Sequence, residues 1–306
     1  MLKRINKGSK IGVIAPAFQP NPQKLDRGIQ YLENRGFKVV RGKSLNAKYG
    51  YLAGEDYLRV DDIHEMFADP EITAIMCARG GWGCLRLLDK VDFNLIKNNY
   101  KVLIGYSDIT TLQLALWNQV NLSSLSGPMV AVELSQTIDP FTENHFWGQI
   151  NNPDQTYSFQ FNTDITEIWN QGQAEGTLLG GCLSMVSHLL GTPFSPDYSD
   201  CILFLEDVGE EPYRIDRYLA QLRQAGIFNK INGLILGNFI EPDINIKKDA
   251  FTVKEVLKEY FENEDYPVIY NFPYGHGKMK FTFPIGTKTI LNTRKNTLQV
   301  SNIFRR

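Results

Sequence analysis

Cysteine, histidine and an excess of charge of one sign are all scarce in this sequence. Its 306 residues include four cysteines and four histidines. No two cysteines form a C-x-x-C pair, and their density is far below that of a disulfide scaffold. We therefore expect four reduced, mostly buried thiols. Lys and Arg together number 32 against 34 Asp and Glu, which gives a net charge of -2. This balance argues against a basic nucleic-acid-binding protein, and we predict no nucleic-acid partner.

The sequence also lacks a long apolar run. Two uncharged stretches, residues 109–132 and 176–196, contain many polar residues, glycines and prolines, so neither resembles a membrane span. The basic start of the chain precedes a short apolar segment, residues 11–18, which fits a first buried strand better than an export signal. We expect a soluble cytoplasmic protein with no membrane partner.

Motifs for metals and nucleotide cofactors are missing. His64-Glu65 begins an H-E-x-x-H pattern, but Ala68 stands where the second histidine should be. Arg86 occupies the third glycine position of G-x-G-x-x-G, and no Walker A sequence occurs in a suitable place. We therefore predict no metal and no cofactor, and a dinucleotide-dependent oxidoreductase is disfavoured.

The chain predicts an α/β fold. In the first half, short apolar strand candidates alternate with helical patterns, which indicates a parallel sheet with helices on both faces. In such sheets the ligand site lies outside the carboxyl ends of the strands. The length suggests two domains. We predict an N-terminal domain over residues 1–135, a polar linker over 136–175, and a C-terminal domain over 176–306 with a β-rich end.

Two segments at predicted strand ends are candidate parts of an active site. Residues 79–83 read Arg-Gly-Gly-Trp-Gly, and glycines there let backbone N–H groups approach a ligand, although a tight turn explains them as well. Residues 105–110 read Gly-Tyr-Ser-Asp-Ile-Thr and open a helix, so Ser107 is a candidate nucleophile beside oriented N–H donors. Ser and Asp are also ordinary helix N-caps.

An acid and a base can be added from the second half. Glu206 and Asp207 end a buried strand and can orient a histidine, unless they form a solvated strand end. His276 lies between two glycines in a loop and is the best candidate base, whereas His188 is predicted to pack in an apolar helix. Because serine attack requires a base and the base requires an orienting carboxylate, Ser107, Glu206 and His276 form a candidate triad.

Several segments together resemble the LD-carboxypeptidase (muramoyltetrapeptide carboxypeptidase) family of serine peptidases. Residues 78–83, Ala-Arg-Gly-Gly-Trp-Gly, are similar to the family's A-R-G-G-Y-G segment. The other similar segments, which follow in one order over nearly the whole chain, are 105–110, 127–129, 176–181, 191–193, 203–207, 213–217 and 275–286.

The resemblance implies a fold, a site and an activity. It implies an N-terminal Rossmann-like or flavodoxin-like domain, a C-terminal β-rich domain with the site between them, and a homodimer. The family's catalytic serine, glutamate and histidine fall on Ser107, Glu206 and His276, and its oxyanion hole falls on the backbone N–H groups of Gly81 and Asp108. The implied activity is removal of the terminal D-alanine from an L,D-bond in murein tetrapeptides during cytoplasmic cell-wall recycling.

The sequence leaves two other functions open. A related branch of the family cleaves the peptide–nucleotide antibiotic microcin C, and a non-catalytic muropeptide- or nucleotide-binding module is a further alternative. The sequence departs from the family pattern at four positions, which affects the expected substrate more than the reaction type: Trp82, Gln113, Ser126 and Cys182. Arg79 is the candidate cation for the substrate's free carboxylate.

Overall fold

The computed structural model describes residues 2–152, 154–240, 242 and 251–304. It confirms a mixed α/β fold built on two sheets. The first sheet has six strands, β1 (Lys10–Ile14), β2 (Lys38–Arg41), β3 (Ile72–Cys77), β4 (Val102–Gly105), β5 (Ser124–Ser126) and β12 (Phe283–Ile285). Their order across the sheet is β2-β1-β3-β4-β5-β12, and all pairs are parallel except β5 with β12.

The helices that cover this sheet follow from the sequence pattern. Helix α1 begins with Asn21 as its N-cap and Pro22 in its first turn, and it buries Leu25, Ile29 and Leu32 on one face. This spacing places the three side chains on one stripe that packs on the sheet. The helices of this part are α1 (Pro22–Asn34), α2 (Asp56–Ala68), α3 (Phe93–Asn98) and α4 (Ile109–Val120).

The second sheet has eight strands in the order β6-β14-β13-β8-β9-β10-β11-β7. Its central strands β8 to β11 are parallel, and the strands on both sides of them are antiparallel. The strands are β6 (Thr156–Gln160), β7 (Glu167–Asn170), β8 (Gln173–Cys182), β9 (Cys201–Val208), β10 (Gly233–Ile240), β11 (Val268–Tyr270), β13 (Lys288–Asn292) and β14 (Thr297–Ser301). The helices of this part are α6 (Leu183–Leu189), α7 (Pro212–Gln224) and α8 (Val253–Phe261). Helix α5 (Pro140–Asn151) buries Phe146 and Trp147 in the core of the first sheet.

The segment expected to be a polar linker, residues 136–175, carries regular structure. It contains α5, which starts at the N-cap Asp139 and Pro140, and the edge strands β6 and β7 of the second sheet. Residues 136–175 therefore contribute to the packed structure. The domain boundaries at 135 and 175 stay a prediction.

The two sheets are joined at the interior of the molecule. Helix α4 of the first part packs against β8 and α6 of the second. A Cβ on Gly181 would lie 2.4 Å from the Thr110 hydroxyl oxygen, and the Cys182 N–H donates to that oxygen at 3.2 Å. A glycine is therefore required where β8 passes the start of α4. Strand β12, from the C-terminal part of the chain, completes the edge of the first sheet beside β5.

Three further expectations from the sequence concern cysteines, helices and His188. The four cysteines are free and buried, as predicted. None of the helices in the described part of the chain combines the length and apolar character needed to cross a membrane. The expected burial of His188 is wrong, because this residue is exposed on α6 and packs against aromatic rings on the surface. It lies between the rings of Trp82 and Tyr218, at 6.2 and 5.7 Å between ring centroids.

Candidate active site

The turn between β4 and α4 holds Ser107 in an unusual backbone conformation. Its φ is 64°, in the left-handed region that is unfavourable for a residue with a Cβ. Such strain, on the order of 1–3 kcal/mol, persists only where the surrounding structure imposes it, and it is common at active sites. The ordinary N-cap explanation does not hold for Asp108, whose side chain makes no capping hydrogen bond to α4.

The glycine loop that follows β3 lies against this turn. Strands β3 and β4 are neighbours, so their carboxyl ends are adjacent. A Cβ on Gly80 would lie 3.0 Å from Ser107 Oγ and 3.4 Å from the backbone nitrogen of Asp108. Within the described chain, the backbone N–H groups of Gly81 and Asp108 make no hydrogen bond to the protein. Two free donors beside a strained serine can bind an anionic oxygen.

Two buried side chains that can carry charge, Arg59 and Asp108, hold the glycine loop. Arg59 is fully buried and donates to the carbonyl oxygens of Pro16 and Gly83. Asp108 accepts from the Cys84 N–H at 2.9 Å. Burial raises the pKa of the Asp108 carboxyl. Helix α2 is rich in charged residues, so the sequence around Arg59 carries no local signal that this side chain is buried.

Glu206 and His276 are paired, although 70 residues separate them in the chain. His276 Nδ1 donates to Glu206 Oε2 at 2.7 Å. Glu206 is fully buried on β9, and the His276 side chain is 19% exposed. Because the bond uses Nδ1, it does not involve Nε2, the second ring nitrogen. The glutamate thus fixes both the orientation of the ring and its tautomer.

Glycines make room for the buried glutamate. A Cβ on Gly275 would lie 2.7 Å from Glu206 Oε2, and the φ of Gly275 is 112°. A side chain at this position is therefore disfavoured both by the clash and by the backbone conformation. A Cβ on Gly237, on the adjacent strand β10, would lie 3.3 Å from the glutamate Cβ. Glu206 Oε1 is buried without a hydrogen-bond partner among the described residues. His276 therefore provides the one protein hydrogen bond that this carboxylate has there.

Tyr106 connects the histidine to the serine turn. Its ring lies next to the His276 ring, at 5.0 Å between centroids, and the following residue is Ser107. No hydrogen bond joins Ser107 to His276 in the part of the chain that the structure describes. The structure thus brings the three candidate residues to one region, with the glutamate and histidine already bonded. Catalytic hydrogen bonds of this kind often tighten only when substrate is bound.

The neighbouring carboxylate, Asp207, faces away from the histidine. It accepts from the backbone N–H groups of Ser184 and Val208, both at 2.8 Å. Burial, together with the nearby charge of Glu206, raises the pKa of Asp207 to about 6. Adjacent positions on β9 therefore hold two buried carboxylates that bind different partners.

Two departures from the family pattern lie in the layer beneath the site. The Gln113 side chain donates to the carbonyl oxygens of Gly105 and Leu125, at 3.1 and 2.9 Å, and so ties β4 to β5. Ser126 Oγ and the Tyr274 hydroxyl share a hydrogen bond of 2.6 Å, just before the loop that carries His276. Both substitutions are accommodated by hydrogen bonds to the scaffold.

Two family models match consecutive parts of the chain. The LD-carboxypeptidase N-terminal domain matches residues 11–127, which include Ser107, Gly81 and Asp108. The LD-carboxypeptidase C-terminal domain matches residues 175–291, which include Glu206 and His276. The matches confirm the resemblance found in the sequence.

Similar proteins agree with these matches over nearly the full length. A probable murein peptide carboxypeptidase of Bacillus subtilis is 38% identical over 297 residues, covering 96% of this chain and 92% of the relative. The crystal structure of muramoyltetrapeptide carboxypeptidase from Oxalobacter formigenes superposes with a TM-score of 0.85 at 31% identity, covering 95% and 98% of the two chains. The microcin C7 self-immunity protein MccF of Escherichia coli is 26% identical, covering 95% and 91%. The chain therefore belongs to the LD-carboxypeptidase family of hydrolases.

Proposed function

We propose that this protein is a serine carboxypeptidase that removes the terminal D-alanine from murein tetrapeptides by hydrolysing the L,D-bond before it. The observation that carries this proposal is the 2.7 Å bond between His276 and Glu206 beside the strained Ser107 turn. Relatives named for murein peptides are 38% and 31% identical over nearly the whole chain, whereas MccF is 26% identical. Sequence similarity thus favours a murein peptide over a peptide–nucleotide conjugate.

In the proposed mechanism, Ser107 Oγ attacks the carbonyl carbon of the scissile bond. His276 Nε2 takes the serine proton and later donates it to the departing amine of D-alanine. Glu206 keeps the proton of the neutral imidazole on Nδ1 and stabilises the imidazolium that forms. Water then attacks the carbonyl carbon of the acyl-enzyme while Nε2 takes its proton. The ester bond to Ser107 Oγ breaks, and Nε2 returns the proton to this oxygen.

The free N–H groups of Gly81 and Asp108 are proposed to bind the oxyanion. Asp108 follows Ser107 in the chain, and Gly81 follows Gly80, whose Cβ would lie 3.0 Å from Ser107 Oγ. Neither N–H donates to another described group, so both are available when negative charge develops on the carbonyl oxygen. Loss of one such donor typically lowers kcat about 10²–10³-fold. The buried Arg59, which holds the carbonyl of Gly83, keeps the glycine loop in place for this task.

Arg79 is proposed to bind the free carboxylate of the substrate. Its guanidinium lies over the Phe18 ring, 5.5 Å from the centroid, and its Nε donates to the Gly80 carbonyl at 3.2 Å. Among the described residues, the Arg79 guanidinium makes no salt bridge. An arginine can hold a carboxylate with two parallel hydrogen bonds, and this one is two residues from Gly81.

The test is release of D-alanine from tetrapeptides that carry L-Lys or diaminopimelate at the third position, with and without a chelator. Wild-type protein should release D-alanine in both conditions, and Ser107→Ala should release none. A Ser107→Ala protein with wild-type turnover would refute the serine mechanism. Hydrolysis of a peptide–nucleotide conjugate without tetrapeptide hydrolysis would assign the chain to MccF-like chemistry. Tetrapeptide binding without any turnover would assign a binding role.

Two further properties are proposed with this function. The cytoplasmic location and the homodimer implied by the resemblance stay predictions. Light scattering of the purified protein measures its oligomeric state directly, because a dimer has twice the 34.9 kDa mass of the chain. A monomer at the concentration of the activity assay would contradict the dimer.

A further inference from the structure

Lys280 is a buried lysine in the loop that follows His276. Its side chain is only 1% exposed, whereas that of Lys278, two residues earlier in the same loop, is 88% exposed. Removing an ammonium group from water is strongly unfavourable unless its three N–H donors meet polar partners. The position of this side chain therefore has a specific structural cause.

Three groups surround the ammonium of Lys280. The Nζ atom donates to the carbonyl oxygen of Gly275 and lies 3.4 Å from Glu133 Oε1. It also lies 3.7 Å from the centroid of the Tyr106 ring, a cation–π distance. A carbonyl, a carboxylate and an aromatic face thus lie around the buried ammonium.

Glu133 completes this cluster. Its Oε1 also accepts from the Tyr106 hydroxyl at 2.8 Å, and its Oε2 accepts from the Met129 N–H at 2.9 Å. The carboxylate is 13% exposed and makes hydrogen bonds through both oxygens. The ammonium and the carboxylate therefore form a buried ion pair, and hydrogen bonds from Tyr106 and Met129 hold the carboxylate in place.

The cluster contacts both halves of the candidate active site. Tyr106 immediately precedes Ser107 on the turn after β4, and Gly275 immediately precedes His276 on the loop after β11. The two segments extend from different sheets. The ammonium of Lys280 contacts the ring of the first and the carbonyl of the second. A displacement of one segment away from the other would stretch or break these contacts.

We propose that Lys280 is a positioning residue that sets the separation between Ser107 and His276. The inference rests on the proposed serine mechanism. Glu206 fixes the orientation of the histidine ring from one side, and Lys280 fixes the backbone of its loop from the other. Lys280 touches no reacting atom, and it acts through Gly275 and Tyr106.

The test compares Lys280→Met with Lys101→Met. Lys101 is a second buried lysine, 6% exposed, which donates to the Phe67 carbonyl at the opposite end of β4 from Ser107. A 1 Å misplacement of reacting groups lowers the rate about 10²-fold, so we expect Lys280→Met to lower kcat about that much while KM stays within about threefold. Lys101→Met should keep the wild-type kcat. Equal kcat values for the two variants would overturn the proposal.

Three companion measurements separate positioning from other effects. Lys280→Met/Glu133→Gln removes both charges, and restored kcat in this variant would mean that an unpaired Glu133 caused the loss, which overturns the proposal. Propylammonium added to Lys280→Ala should raise kcat with saturation, and 1-propanol should not. Equal rescue by both compounds would reduce Lys280 to a space-filling role. If Lys280→Met does not fold, Lys280→Arg is measured in its place. This variant keeps the charge, but its longer side chain displaces the loop, so kcat should still fall while KM stays unchanged.

Covalent labelling of Ser107 needs no peptide substrate, so it tests the role of Lys280 separately from the proposed substrate. A fluorophosphonate probe should label Ser107 in the wild type and more slowly in Lys280→Met. If the wild type is labelled but releases no D-alanine, the substrate assignment fails, and the labelling rates still test Lys280. Equal labelling rates in wild type and Lys280→Met would overturn the positioning role, and so would a wild type that the probe does not label.

Discussion

Replacing Gly80 by alanine should impair the candidate nucleophile without touching any charged group. The new Cβ would lie 2.9 Å from the Ser107 Cβ and 3.0 Å from its Oγ. Carbon atoms in contact prefer about 3.5–4.0 Å, so the serine turn or the glycine loop must shift by about 0.5–1 Å. Gly80 has no positive φ, so the effect is steric and does not come from backbone strain.

The size of the effect follows from that displacement. A shift of 1 Å lowers the rate about 10²-fold, so we expect kcat of Gly80→Ala to fall about 10–100-fold. Overpacking should lower the free energy of unfolding by about 1–3 kcal/mol. The assay is D-alanine release from the tetrapeptide under saturating conditions, together with urea unfolding to confirm that the variant is folded.

Gly191→Ala provides the matched control. Gly191 has a φ of 79° and nothing within 4 Å of the position its Cβ would take, so alanine there strains the backbone and touches no neighbour. This variant should lose about 1–2 kcal/mol of unfolding free energy and keep the wild-type kcat. A Gly80→Ala protein with the kcat of Gly191→Ala would refute the close approach of the glycine loop to the serine.

Two further predictions concern the histidines and their partners. Glu206→Gln keeps an acceptor for His276 but loses the charge that stabilises the imidazolium, so kcat should fall on the order of 10⁴-fold; Asp207→Asn, which does not contact His276, should not reproduce this loss. Burial lowers the pKa of His145 to about 4. Since the unfolded chain takes up that proton near pH 6.5, the folded state should lose stability as the pH falls from 6.5 through 4. The shift alone would correspond to about 3 kcal/mol, and partial exposure of the ring reduces the expected loss to about 1–2 kcal/mol. Urea unfolding of wild type and His145→Phe over this range measures the difference, and parallel pH profiles would contradict it.

The elements of the site were predictable because strand-to-helix turns have local signals. The apolar run before Gly105 and the polar start of α4 place Ser107 at the carboxyl end of a strand from the sequence alone. The 2.7 Å contact between Glu206 and His276 was not predictable from spacing, since it depends on how β9 and the loop after β11 meet. The resemblance to the LD-carboxypeptidase family predicted that pairing, because the family's catalytic glutamate and histidine fall on these two positions.

Other features had no usable sequence signal. Lys278 and Lys280 are two residues apart in one glycine-containing loop, and nothing local indicates that one is exposed and the other buried. The burial of Lys280 is set by Tyr106 and Glu133, which lie in the other half of the chain. For α5 a signal was present, because Asp139-Pro140 is a typical helix start. The surrounding polar composition pointed to a linker instead.

The placement of β12 has a consequence for how the chain folds during synthesis. The open edge of β5 pairs with β12, and these strands lie at residues 124–126 and 283–285. Translation at about 5–20 residues per second delivers β12 roughly 10–30 s after β5. During that interval the N-terminal sheet presents an unpaired backbone edge to other nascent chains. The last strand to join the first sheet thus closes an aggregation-prone edge, and it immediately follows the loop that carries the histidine.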